Sequence, residues 1–126
     1  MAKGAIFITW GRPLHENEAL PIQLFDLAVS FCKKLIADQR IESFRVFVNT
    51  TGDTKDWAGT LLLEGRVDLP QNLQRDRTFQ RLLALADDAV ENVRVALTLG
   101  DSPDDVREAF RTYAGGLPPL ARNGKD

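Results

Sequence analysis

Cysteine and histidine, which build disulfides and many metal centres, are nearly absent from this chain of 126 residues. Cys32 is the only cysteine, which excludes an internal disulfide and a zinc site made of cysteines alone. His15 is the only histidine, and no carboxylates are spaced in the sequence to complete a metal site with it. We therefore expect neither a resident metal ion nor another cofactor.

Long apolar runs and an excess of basic charge are also missing. No stretch approaches the roughly 20 consecutive apolar residues that a membrane-spanning helix needs, and the apolar run near the N-terminus, Ala5–Trp10, is too short for a signal peptide. The net charge is −2, whereas nucleic-acid binding is driven by basic surface. These absences predict a cytoplasmic protein that has neither a membrane nor a nucleic acid as its partner.

The composition is that of a folded domain, and residues 43–65 carry its clearest pattern. Apolar residues make up 44% of the chain and charged residues 27%, which is typical of a globular protein of one domain. Ser43–Thr50 alternates with the period of a strand, and Ala58–Gly65 is a second short run of strand-forming residues. The polar segment between them is too short for a helix, so the pattern predicts an antiparallel hairpin.

Further elements flank this hairpin on both sides. They are a strand at Ala5–Trp10, a helix from Glu16 to about Ala37, a helix from about Leu73 to Asn92 and a strand at Val93–Leu99. Pro21 fits only the first turn of a helix, so the regular part of the first helix is expected to begin near Leu20. Arg66–Gln71, which contains Pro70, is predicted to be a loop.

A last helix is predicted after the fourth strand. Ser102 is expected to cap it, with Pro103 at its first position and two aspartates in its first turn, because hydroxyl and carboxylate oxygens bind the free N–H groups there. Gly115-Gly116 would end it. We expect one domain over residues 1–116 and a flexible tail over residues 117–126.

The resulting order, β-α-β-β-α-β with an additional C-terminal helix, is that of the ferredoxin-like α+β fold. The right-handed crossover rule places both long helices on one face of a four-stranded antiparallel sheet. The first and third strands would then be central, and the second and fourth would lie at the edges.

Alternation along the strands sorts their residues into two faces. The helix face is almost wholly apolar: Ile6, Ile8, Trp10, Phe44, Val46, Val48, Leu61, Leu63, Val95, Leu97 and Leu99. The second face mixes apolar and polar groups: Phe7, Thr9, Arg45, Phe47, Asn49, Thr60, Leu62, Glu64, Arg94, Ala96 and Thr98. A partly covered face with a few convergent polar groups is typical of a small-molecule pocket.

This element order, the mixed second face, the Trp10-Gly11 strand end and the Ala58–Gly65 strand resemble the dimeric α+β barrel superfamily. Its members include antibiotic-biosynthesis-type monooxygenases, muconolactone isomerases and small YCII-like proteins. The resemblance covers roughly residues 5–114. In these proteins two ferredoxin-like subunits pack sheet against sheet, so the resemblance implies a homodimer. It carries no catalytic motif that could be transferred to this chain.

The second face supplies the predicted ligand-binding residues, which are Phe7, Thr9, Arg45, Phe47, Thr60, Leu62 and Glu64. Trp10 and His15 are predicted at the entrance. The aromatic rings offer flat apolar surface, and the Arg45 guanidinium can hold a carboxylate, so an acidic and partly aromatic ligand is expected. The alternative is that Arg45 and Glu64 form an ordinary cross-strand ion pair.

Two classes of function remain open, and the sequence singles out no catalytic residue for either. One is a homodimeric small-molecule-binding protein, for which the resemblance implies cofactor-independent oxygenase or isomerase chemistry. The other is a non-catalytic oligomerisation or regulatory domain, in which the second face is interface alone. An RNA-recognition domain shares the strand order, but Thr60, Leu62 and Glu64 stand where its third strand would present aromatics.

Overall fold

In the computed structural model of the protein, residues 3–14, 19–52, 54–100 and 102–116 are described. The elements are β1 (Lys3–Trp10), α1 (Ala19–Ala37), β2 (Ser43–Val48), β3 (Gly59–Arg66), α2 (Leu69–Gln74), α3 (Arg77–Ala89), β4 (Arg94–Leu99) and α4 (Pro103–Gly116). The predicted tail, residues 117–126, lies outside the described residues.

The four strands form one antiparallel sheet in the order β2-β3-β1-β4. The predicted hairpin is confirmed as the β2–β3 pair, in which Arg45 stands opposite Leu62. Its connection includes Gly52 with a φ of 83°, a conformation that glycine adopts at little cost. The central positions of β1 and β3 and the edge positions of β2 and β4 are as predicted.

The segment between β3 and β4 differs from its prediction. Instead of a loop followed by one long helix, it forms the short helix α2 and then α3. Pro70 lies in the first turn of α2, where a missing N–H costs no helical hydrogen bond. The division falls at Asp76, which has extended dihedrals and accepts a hydrogen bond from the Phe79 N–H at 3.0 Å. Asp76 is therefore an N-cap, and its preference for that position outweighs the continuous apolar pattern.

The core lies between the helix face and the three helices α1, α2 and α3. Its most deeply buried large side chains are Ile6, Leu35, Leu63 and Leu73, each no more than 1% exposed. On α1, Cys32 and Leu35 are buried and face the sheet, whereas the neighbouring Ile36 is 39% exposed.

The C-terminal helix α4 begins at the predicted cap. The Ser102 Oγ accepts a hydrogen bond from the Asp105 N–H at 3.1 Å, and the Asp105 carboxylate accepts one from the Ser102 N–H at 3.4 Å. This reciprocal pair is a capping box. The side chains of residues 103–112 are exposed, Phe110 by 70%.

Across the part of the chain that the structure describes, none of the helices is both long enough and apolar enough to cross a bilayer.

Candidate functional site

The strand register gathers the predicted residues of the second face. Phe7 and Arg45 stand on either side of Leu62, on the two strands that flank β3. Thr9 and Phe47 stand in the same way on either side of Thr60. Glu64 continues the row on β3. Thr60 and Leu62 are buried while Phe7, Arg45 and Phe47 are exposed, so the face has a buried centre and an exposed rim.

Arg45 makes two contacts on this rim. Its Nη2 donates a hydrogen bond to Glu64 Oε1 at 3.3 Å, and its guanidinium carbon lies 5.6 Å from the centre of the Phe47 ring. The Arg45 side chain is 59% exposed, so the ion pair contributes at most about 1 kcal/mol. The cation–π contact holds the guanidinium plane beside an aromatic surface without using all of its donors.

Trp57 belongs to this surface although the prediction left it out of the set. Its indole Nε1 donates a hydrogen bond to Thr60 Oγ1 at 2.8 Å, and its carbonyl oxygen accepts one from Asn49 Nδ2 at 2.6 Å. The ring is thereby held at the edge of the second face and stays 53% exposed. The sequence shows this tryptophan three residues before Thr60. Because Trp57 lies in a loop, strand alternation could not assign its side chain to either face of the sheet.

Arg94 adds a second cation near the same surface. It stands opposite Thr9 on β4 and is exposed. Among the described residues, no carboxylate forms an ion pair with Arg94. The predicted set, with Trp57 and Arg94 added, thus carries three aromatic rings, two guanidinium groups and one carboxylate.

Of the two predicted entrance residues, Trp10 does not join this group. Trp10 stands opposite Gly59 on the helix face, the reverse side of the sheet from Phe7 and Thr9. Its indole lies across Gly59, where an added Cβ would come within 2.5 Å of the ring. The ring also contacts Phe25, with 6.5 Å between centroids. His15 lies outside the described residues.

Trp10 instead lines a cavity of about 380 Å³ between the helix face and helices α1 and α3. We call this space the apolar cavity. Its lining residues are Ile8, Trp10, Pro21, Ile22, Leu24, Phe25, Ala28, Phe31, Cys32, Val46, Val48, Leu61, Leu63, Phe79, Leu82, Leu83, Ala86, Val90 and Val93. The sequence does not predict this cavity, because an apolar stripe is equally compatible with a filled core and with a lined cavity.

Neither a protein-family model nor a curated protein matches the chain. Solved structures that match it in fold include the following two. One is a dimeric protein of unknown function with a ferredoxin-like fold from Bacteroides fragilis NCTC 9343, with a TM-score of 0.53, 12% identity, and coverage of 80% of this chain and 96% of that chain. The other is a dimeric ferredoxin-like protein of unknown function from Jannaschia sp. CCS1, with a TM-score of 0.58, 12% identity, and coverage of 79% and 99%.

The chain has a ferredoxin-like fold.

The ferredoxin-like core from β1 to β4 accounts for about three-quarters of the chain, whereas the two neighbours are matched almost whole. About a fifth of this chain therefore has no counterpart in them. In such a fold the helices cover one face of the sheet and leave the other open. Here both faces hold a candidate site, because the helix layer is incomplete over Trp10.

Proposed function

We propose that this protein is a homodimer that binds a small, acidic and partly aromatic molecule between the second faces of its two sheets. The binding residues in this proposal are Phe7, Thr9, Arg45, Phe47, Thr60, Leu62 and Glu64, with Trp57 and Arg94 added at the edges. Arg45 stacked on Phe47 is the observation that carries the proposal, because it places a cation beside an exposed ring.

Exposed aromatic surface supports the dimer. Phe7 is 38% exposed, Phe47 45% and Trp57 53%, all at one side of the sheet. Contiguous apolar surface of this kind marks an interaction site more often than a solvated face. The two neighbours are themselves described as dimeric, and packing sheet on sheet would cover these rings.

The charges on this surface support an acidic ligand. Among the proposed binding residues Arg45 and Arg94 outnumber Glu64, so the site is locally positive although the whole chain has a net charge of −2. A ligand carboxylate would compete with Glu64 for Arg45, and its ring would lie against Phe7 or Phe47. The oxygenase or isomerase chemistry implied by the superfamily would be the enzymatic form of this function, in which the second sheet excludes water from the ligand.

A second candidate is a non-catalytic oligomerisation domain with the same interface and no ligand. It is favoured by the fact that Arg45 and Thr60 already have partners within the chain, Glu64 and Trp57. In that case the polar groups of the second face would serve only to satisfy one another in the covered interface.

The assembly is tested by sedimentation equilibrium at micromolar concentration. Phe47→Glu should convert the dimer to monomer, because it would bury an uncompensated charge in the proposed interface. Val48→Glu is the matched control, since the neighbouring residue points to the opposite face and is already 74% exposed. A wild-type monomer, or dissociation caused equally by both variants, would remove the proposed interface.

The ligand class is tested by calorimetric titration with 1-naphthoate, an aromatic carboxylate. Arg45→Ala should weaken its binding by tens of fold, about 2 kcal/mol for a charge-assisted hydrogen bond. Arg81→Ala removes the same charge from the exposed surface of α3 and should leave affinity unchanged. A dimer that does not bind the probe would favour the oligomerisation domain.

A further inference from the structure

We propose that the apolar cavity is a second binding site, on the opposite side of the sheet, for a small uncharged molecule of hydrocarbon or aromatic character. The proposal is independent of the ligand on the second face. It stands on the size of the cavity, the chemistry of its walls and the side chains left exposed around it.

The volume is sufficient for a small molecule. The cavity measures about 380 Å³, within the range of about 300–1,000 Å³ that small-molecule pockets occupy. The space opens to solvent at its border, and the buried Leu61 and Leu63 form its inner wall.

The wall chemistry defines the class of ligand. The lining side chains are aliphatic or aromatic, apart from the thiol of Cys32. Burial raises the pKa of Cys32 to about 11, so that thiol is uncharged at neutral pH. A charged ligand would lose its hydration in this cavity without gaining a partner, whereas an apolar one would lose nothing.

The border of the cavity supplies surface for a ligand to cover. Val48 is 74% exposed, Ile22 58%, Val46 37% and Phe25 36%, although all four belong to the lining. Hydrophobic stabilisation grows with the apolar area that leaves water. A bound molecule would cover these side chains of α1 and β2, which the protein alone leaves exposed to water.

One wall is fixed in position before any ligand binds. The Trp10 indole lies on the backbone of Gly59, where any side chain would displace it, and it contacts the Phe25 ring. A preorganised aromatic wall reduces the ordering cost of binding. It also provides an optical reporter, because Trp10 lines the apolar cavity while Trp57 lies at the second face.

The experiment is a titration with N-phenyl-1-naphthylamine, an uncharged fluorescent probe, on full-length protein carrying Trp57→Phe. We expect saturable probe fluorescence with energy transfer from Trp10. Ala86→Leu, which fills the cavity from α3, should weaken binding at least tenfold. Ala84→Leu is the matched control, because it makes the same change on the exposed side of the same helix. Ala28→Leu fills the cavity from α1 and should act like Ala86→Leu.

Equal affinity in the filling and control variants, with all three variants folded by circular dichroism, would overturn the proposal. The absence of saturable binding would also overturn it. Probe binding that disappears as protein concentration rises would overturn it too, because it would show that a second copy of the chain occupies the cavity. Displacement of the probe by 1-naphthoate at comparable concentration would overturn the proposal that the ligand of the apolar cavity is uncharged. Because Arg45→Ala should not affect this probe, failure here is distinguishable from failure of the proposed second-face site.

Discussion

The two ends of the helix layer differ in how completely they are packed. At one end α2 lies over β1 and β3, and Leu69 and Leu73 join Ile6 and Leu63 in a core with almost no exposed surface. At the other end, near Trp10, the helices leave the apolar cavity and several exposed aliphatic side chains. We call these the closed end and the open end.

The difference indicates that the closed end serves mainly stability and that the open end serves mainly binding. Each fully buried leucine of the closed end contributes more hydrophobic free energy than a partly exposed aliphatic side chain of the open end. An open end of similar composition contributes less, but it retains surface with which to bind. Substitutions that compare the two ends test this division directly.

The largest expected effect is that of truncating the closed end. Leu35→Ala should lower the free energy of unfolding by about 2–5 kcal/mol, because it removes a fully buried side chain and leaves a cavity. Ile22→Ala truncates the same helix at the open end, where the side chain is 58% exposed, and should cost less than about 1 kcal/mol. Urea unfolding of both variants measures the difference. Equal losses would show that the open end is as tightly packed as the closed one.

The strands and both faces could be predicted from the sequence because period-two alternation determines which side each residue occupies. Phe7, Arg45 and Phe47 were grouped correctly on this basis alone. The sequence did not predict the division at Asp76, since the apolar stripe from Phe79 to Val90 is compatible with one helix that begins near Leu73. It also did not predict the apolar cavity, because periodicity reports which residues are apolar and not how much space they enclose.

The second expected effect concerns Asp76, which secures the closed end. It caps α3 through Phe79 and accepts a hydrogen bond from Arg40 Nη1 at 2.9 Å. Asp76→Ala should therefore cost about 1–2 kcal/mol. Asp68→Ala is the matched control, because Asp68 stands at the start of α2 but makes no side-chain cap bond. A similar loss in both variants would contradict the capping role.

The same carboxylate predicts a dependence on pH. Burial alone would raise the pKa of Asp76, but the Phe79 N–H and the Arg40 guanidinium outweigh it and lower the pKa below 3.8. A lowered folded-state pKa stabilises the protein above the unfolded value and loses that effect as pH falls through the folded value. The stability gap between wild type and Asp76→Ala should therefore be full at pH 7 and smaller at pH 3, by urea unfolding. A gap that widens in acid would contradict this assignment.

The smallest expected effect lies in the loops that border the open end. Arg12 Nε and Glu91 Oε2 are 2.6 Å apart, and their side chains are 58% and 27% exposed. Backbone bonds already join the two loops, since the Gly11 N–H donates to the Glu91 carbonyl and the Glu91 N–H donates to the Arg12 carbonyl. A solvated ion pair added to such a link contributes about 0–1 kcal/mol.

In a double-mutant cycle of Arg12→Ala and Glu91→Ala, the coupling free energy should fall in that range at low salt and shrink in 1 M NaCl through screening. A coupling well above it that persists in salt would show that solvent does not screen the pair, and would contradict the exposure of the two side chains.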